Sequence, residues 1–169
     1  MDDVKIMLSV ILAVTALSQD LKNGKIPNRL ILAGAAAAVI LCLFPGCSLP
    51  EALAGAALPL LFPGILFFFR MTGAGDVKLL CVLGAILGSA ASCSLILRSF
   101  GLGAVQALAV LMVRRNAVQR FHVLAAYLRN CIRCRKLLPY TDRSPAGRMR
   151  FSVSILGAVL WYALEKRLC

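Results

Sequence analysis

Residues 73–91 read GAGDVKLLCVLGAILGSAA. Asp76 stands at the head of a run, 77–91, that is apolar apart from Lys78 and Ser89. A helix needs roughly 20 mainly apolar residues to cross the hydrocarbon core, and fewer when its ends snorkel. Lys78 lies near one end of the run, where a lysine stem can lie along apolar surface with its charge at the interface. The run therefore reads as a membrane-spanning helix with a carboxylate at its edge.

Working outward, five more runs of the same kind appear, at residues 4–19, 28–44, 52–69, 94–113 and 151–164. Arg98 lies near the end of the 94–113 run and is expected to snorkel. The 52–69 run carries Pro59 and Pro63, so a bend is expected there. The chain starts Met1-Asp2-Asp3, without the positive start of a cleaved signal peptide, so the first run is expected to stay as a helix.

The bulk composition agrees. Of 169 residues, 60% are hydrophobic, and mean hydropathy is +0.86. An ordinary globular chain is roughly 45–50% apolar. Such content excludes disorder. It also exceeds what one soluble core of this size buries. The expected fold is all-α: a polytopic membrane protein with six transmembrane helices, forming one membrane-embedded domain over 1–169.

Nineteen Lys and Arg against seven acids give a net charge of +12. Fifteen of the nineteen fall in alternate connections: Lys22, Lys25, Arg29, Arg70, Lys78 and ten within 114–150. Lys5, Arg98, Lys166 and Arg167 lie on the other side. The positive-inside rule places the fifteen in the cytoplasm and both termini outward. The charge is then explained by topology, and nucleic-acid binding is not expected.

Asp20 and Asp76 both fall at the cytoplasmic edge. An acid at a membrane edge is a functional candidate by default. A plainer reading exists for each. Asp76 can be the N-cap of its helix. Asp20 can belong to a turn with Asn23-Gly24, with Pro27 holding the chain extended and Asn28 capping the next helix. Two acids on one face, each in a Gly/Pro-punctuated segment, bring the functional reading level with the plain one.

The local sequences carry it further. Residues 20–30 read DLKNGKIPNRL, and residues 73–79 read GAGDVKL. Together, in this order and with six helices, they resemble the type IV prepilin peptidase family, membrane aspartyl endopeptidases with a GxGD motif. The first segment resembles that family's Asp-then-Ile-Pro-Asn segment, here Asp20, Ile26, Pro27 and Asn28. The second resembles its GxGDxKL segment, here Gly73, Gly75, Asp76 and Lys78. The resemblance runs from about helix one to helix five; the last helix fits loosely. The chain lacks the paired-cysteine cytoplasmic segment of larger members. It resembles a short, peptidase-only form, similar to those serving tight-adherence or related pilus systems, and methyltransferase activity is not expected.

The resemblance implies catalysis by Asp20 and Asp76 without metal or organic cofactor. It implies a pilin-like precursor with a short basic leader and an apolar helix, cut after a Gly at the cytoplasmic edge of the bacterial membrane. Two close carboxylates share a proton, one activating water and one donating to the carbonyl. A helix N-terminus favours negative charge and a C-terminus disfavours it. On that basis Asp76, with Lys78 nearby, is expected to be the ionised base and Asp20 the acid. Gly73 and Gly75 are expected to supply backbone freedom for close approach of an extended substrate.

The 114–150 segment has ten basic residues and one acid. Val118, Phe121, Leu124, Ala125, Leu128 and Ile132 recur at helical spacing, as in a helix lying on anionic lipid; a solvated loop is the equal alternative. Cys131 and Cys134 have the spacing of half a zinc site, with His122 the sole histidine. Without a second pair close by, two reduced thiols are the preferred reading.

Two other functions fit the sequence less well. Presenilin-type GxGD proteases carry a Pro-Ala-Leu motif near the last helix, which this chain lacks. A small transporter using the two acids as a cation site would be expected to show repeats and midplane acids, and neither is evident.

Overall fold

The computed structural model describes residues 2–44, 48–68, 73–113 and 150–168. Among these, all regular structure is α-helix: α1 Asp2–Asn23, α2 Asn28–Cys42, α3 Leu49–Phe68, α4 Ala74–Leu87, α5 Ser89–Val113 and α6 Phe151–Leu168. Each expected apolar run coincides with one helix. The edges move for local reasons. Gly24, at φ 63°, ends α1 four residues later than expected, its N–H donating to the Asp20 carbonyl at 2.9 Å. Gly88, at φ 91°, separates α4 from α5, so Ala91 belongs to α5 and not to α4. The interfacial helix expected within 114–150, with Cys131, Cys134 and His122, lies outside the described residues apart from Arg150.

Helix α4 is the axis of the bundle and packs against the other five. Val77, Leu79, Leu80, Val82, Leu83 and Ile86 are all buried. Those positions cover most of the helix circumference, and the side carrying Lys78, Cys81 and Ala85 is the less buried one. The outer faces are the reverse of a soluble protein's. Met7 of α1, Leu32 of α2, Leu60 and Leu61 of α3, Leu97 of α5 and Leu164 of α6 are all exposed. Ser9, Ser92, Ser99, Ser152 and Ser154 are buried. Two stretches, Asp2–Asn23 and Ser89–Val110, are both long and apolar enough to cross a membrane; Asn28–Cys42 and Leu49–Ile65 are apolar but shorter.

Both α3 prolines are fully buried within one continuous helix. Pro59 has no N–H, so the Gly55 carbonyl four residues earlier loses its helical donor. The Ser92 hydroxyl replaces it, donating to that carbonyl at 2.8 Å in a buried site. Here α3 and α4 touch backbone to backbone. A Cβ on Gly55 would stand 2.2 Å from the Gly84 carbonyl oxygen, and one on Gly84 would stand 2.1 Å from that of Gly55. Small residues at such crossings are the usual means of close helix approach in membranes.

Arg98 does not snorkel from a helix end. Because α5 begins at Ser89, Arg98 falls inside the helix, where it pairs with Glu165 of α6. Its guanidinium lies 5.8 Å from the Trp161 ring and 5.9 Å from that of Tyr162. The ion pair and the rings fasten α5 to α6. Nearer the start of α6, the Ser154 hydroxyl donates to Gln106 Oε1 at 2.9 Å.

Candidate active site

A cleft of about 350 Å³ opens where α1 ends and α2 and α4 begin. Asp20, Ile26 and Asn28 line it from one segment, and Gly73, Gly75, Asp76 and Lys78 from the other. Seven of the eight residues singled out in the sequence thus meet at one place. The eighth, Pro27, does not line the cleft. At φ −71° and ψ 138° it holds the extended step into α2, and its carbonyl accepts the Leu30 N–H at 3.1 Å.

The capping expectations change. Pro27, not Asn28, occupies the N-cap position of α2, and Gly73, not Asp76, that of α4; neither cap makes a side-chain bond. Asn28 and Asp76 are instead released to face the cleft. Lys78 Nζ donates to Asn28 Oδ1 at 3.1 Å, which joins the two segments.

The two motif glycines are small rather than conformationally special. Gly73 has an ordinary φ of −73°, and among the described residues the positive-φ glycines are Gly24 and Gly88. What Gly73 lacks is a Cβ that would stand 2.9 Å from Asp76 Oδ2. The Asp76 carboxylate therefore folds back over Gly73. A Cβ on Gly75 would stand 3.1 Å from Ile26 Cβ, so Gly75 is the surface on which the Ile-Pro-Asn segment rests.

Asp20 lies in the last turn of α1. It accepts a hydrogen bond from the Ser152 hydroxyl of α6. Arg150 Nη1 donates to the neighbouring Leu21 carbonyl at 3.1 Å, one of the orphan carbonyls of the helix end. Neither Ser152 nor Arg150 was singled out in the sequence. Some 130 residues separate Ser152 from Asp20, and a serine opening an apolar run gives no signal of its own.

Asp76 precedes the apolar run of α4, at the cleft. Burial raises its carboxyl from 3.8 to about 6, and the negative charge of Asp20 pushes the same way. At Asp76 the pull of the α4 N-terminus on negative charge is outweighed by desolvation.

Residues 6–108 match the family model of the type IV leader peptidases. No curated protein and no solved structure matches the chain. The matched stretch is more than half of the 169 residues and holds all seven motif residues of the cleft. The chain belongs to the type IV leader peptidase family.

Proposed function

We propose that this chain is a membrane aspartic endopeptidase that removes the basic leader from type IV prepilin-like precursors, with Asp20 and Asp76 as its catalytic pair. The observation that carries this reading is the convergence of the two acids, brought from segments more than fifty residues apart, on one cleft.

The chemistry follows from the pair. Asp76 holds the proton and donates a hydrogen bond to the scissile carbonyl oxygen. Ionised Asp20 takes a proton from water as the water oxygen bonds to the carbonyl carbon. The tetrahedral species then collapses. Its C–N bond breaks, the leaving nitrogen receives the proton taken by Asp20, the carbonyl re-forms, and Asp76 keeps its own proton throughout. No covalent enzyme intermediate forms.

The membrane setting has separate support. The bundle is apolar outside and carries hydroxyls inside. Fifteen of its nineteen basic residues fall in alternate connections, among them the 20–30 and 73–79 segments of the cleft, and by the positive-inside rule this supports a cytoplasmic cleft and 114–150 loop with both termini outward. At 14 residues, α4 is about 21 Å long, shorter than a ~30 Å hydrocarbon core. Its Asp76 end can then sit in a local recess reached by both water and a membrane-held substrate. The leader stays in the cytoplasm while the precursor's apolar helix remains in the bilayer.

Co-expression with a precursor bearing a basic leader, followed by mass spectrometry of the product, tests the proposal. A new N-terminus between leader and apolar helix is expected with wild type. An uncut precursor across a broad leader panel would contradict it.

A further inference from the structure

Helix α6 lies outside the family-matched residues 6–108, yet it supplies a direct partner to one of the two acids. Ser152 is 1% exposed. A helical serine often bonds back to its own helix, as Ser9 does to the Lys5 carbonyl at 2.8 Å. Ser152 is at the start of α6 and reaches across to Asp20 Oδ2 instead. Beside it, Arg150 holds the Leu21 carbonyl at 3.1 Å. The start of α6 thus grips the end of α1 at the side chain of one residue and the backbone of the next.

We propose that Ser152 is the positioning residue for Asp20. Its hydroxyl occupies Oδ2, fixes the carboxylate plane, and leaves Oδ1 to take the proton from water. This rests on the two-aspartate reading above. A hydroxyl donated to a carboxylate also favours its ionised, proton-accepting form. Among the described residues, the charged groups that share the cleft with Asp20 are Lys25, Asp76 and Lys78, with Arg150 on the adjoining carbonyl. Of these side chains, Lys78 is engaged with Asn28, so Ser152 is the group that the structure shows bonded to the Asp20 carboxylate.

The test compares the purified full chain with Ser152→Ala, Ser154→Ala and Asp20→Asn, using one prepilin-like precursor. Ser154 is a second buried serine on the same helix, bonded to Gln106. Ser152→Ala is expected to lower kcat on the order of tenfold with KM little changed. It should also move the ascending limb of the pH–rate profile to higher pH. Ser154→Ala should leave that limb in place, whatever it does to thermal stability. A Ser152→Ala enzyme with wild-type kcat and limb overturns the proposal. So does a Ser154→Ala enzyme with the same displaced limb, which would make the effect one of helix packing. Asp20→Asn separates the two levels. If it is inactive, a negative Ser152 result leaves the peptidase reading standing; if it cleaves normally, both fall.

Discussion

Lys78 Nζ donates to Asn28 Oδ1 at 3.1 Å, a bond between residues 50 positions apart that ties the start of α4 to the first residue of α2. Both side chains are exposed, so the bond adds little to global stability. Its role is to hold one wall of the cleft against the other. Asn28→Ala and Lys78→Met should each lower kcat/KM about fivefold, the worth of roughly 1 kcal/mol. The double variant should cost less than the product of the two, and a double-mutant cycle on cleavage rates checks this. Full additivity would mean that the two residues act separately.

Gly73→Ala should harm activity far more than stability. Among the described residues, the new Cβ meets within 4 Å only the end of the Asp76 side chain, which can swing aside. The displaced carboxylate should cost on the order of a hundredfold in kcat, the usual effect of about 1 Å of misplacement. The melting temperature in detergent should stay close to wild type. A large drop in melting temperature with normal kcat would contradict this assignment.

Gly55→Ala should do the opposite. Its Cβ would stand 2.2 Å from the Gly84 carbonyl oxygen, which is backbone and cannot turn away. The α3–α4 crossing would have to open, and the loss should be at the upper end of the ~1–3 kcal/mol typical of overpacking. The same holds for Gly84→Ala, whose Cβ would stand 2.1 Å from the Gly55 oxygen. Thermal unfolding in detergent is the measurement, and a wild-type melting temperature would refute the close crossing.

The Asp76 carboxyl, raised from 3.8 to about 6 by burial and then by Asp20, links stability to pH. Between those two values the folded protein binds the proton more tightly than the unfolded chain. The contribution is therefore fully present below 3.8 and is lost as pH rises through about 6. Asp76→Asn should gain stability relative to wild type between pH 4 and pH 7. The gain is bounded by about 3 kcal/mol and is reduced by solvent at the cleft mouth. Melting curves of the two proteins across that range decide it; parallel curves would show that Asp76 titrates normally.

Much of this arrangement was legible in the sequence, for physical reasons. Six apolar runs appear as six helices because hydropathy reports directly on what a helix must hide from water or present to lipid. The two acidic segments were legible because short motifs with fixed spacing dictate local backbone, and seven of their eight residues line the cleft. Three things were not legible. Whether Asn28 and Asp76 cap their helices depends on where each helix starts, and a one- to three-residue shift turned both from caps into cleft side chains. The proton preference of Asp76 depends on burial, which no spacing shows. Ser152 reaches Asp20 only because α6 begins where α1 ends, and that is a property of the bundle. Arg98 makes the same point: its partner Glu165 is 67 residues away, so sequence offered only snorkelling.

The most direct test of the central claim is cleavage of a defined prepilin-like precursor by wild type, Asp20→Asn and Asp76→Asn, each checked for accumulation in the membrane. Asparagine keeps the size of each side chain and removes its charge and its titratable proton. The two-aspartate mechanism predicts cleavage between leader and apolar helix by wild type and none by either variant. Wild-type cleavage by either variant, at equal accumulation, would contradict it.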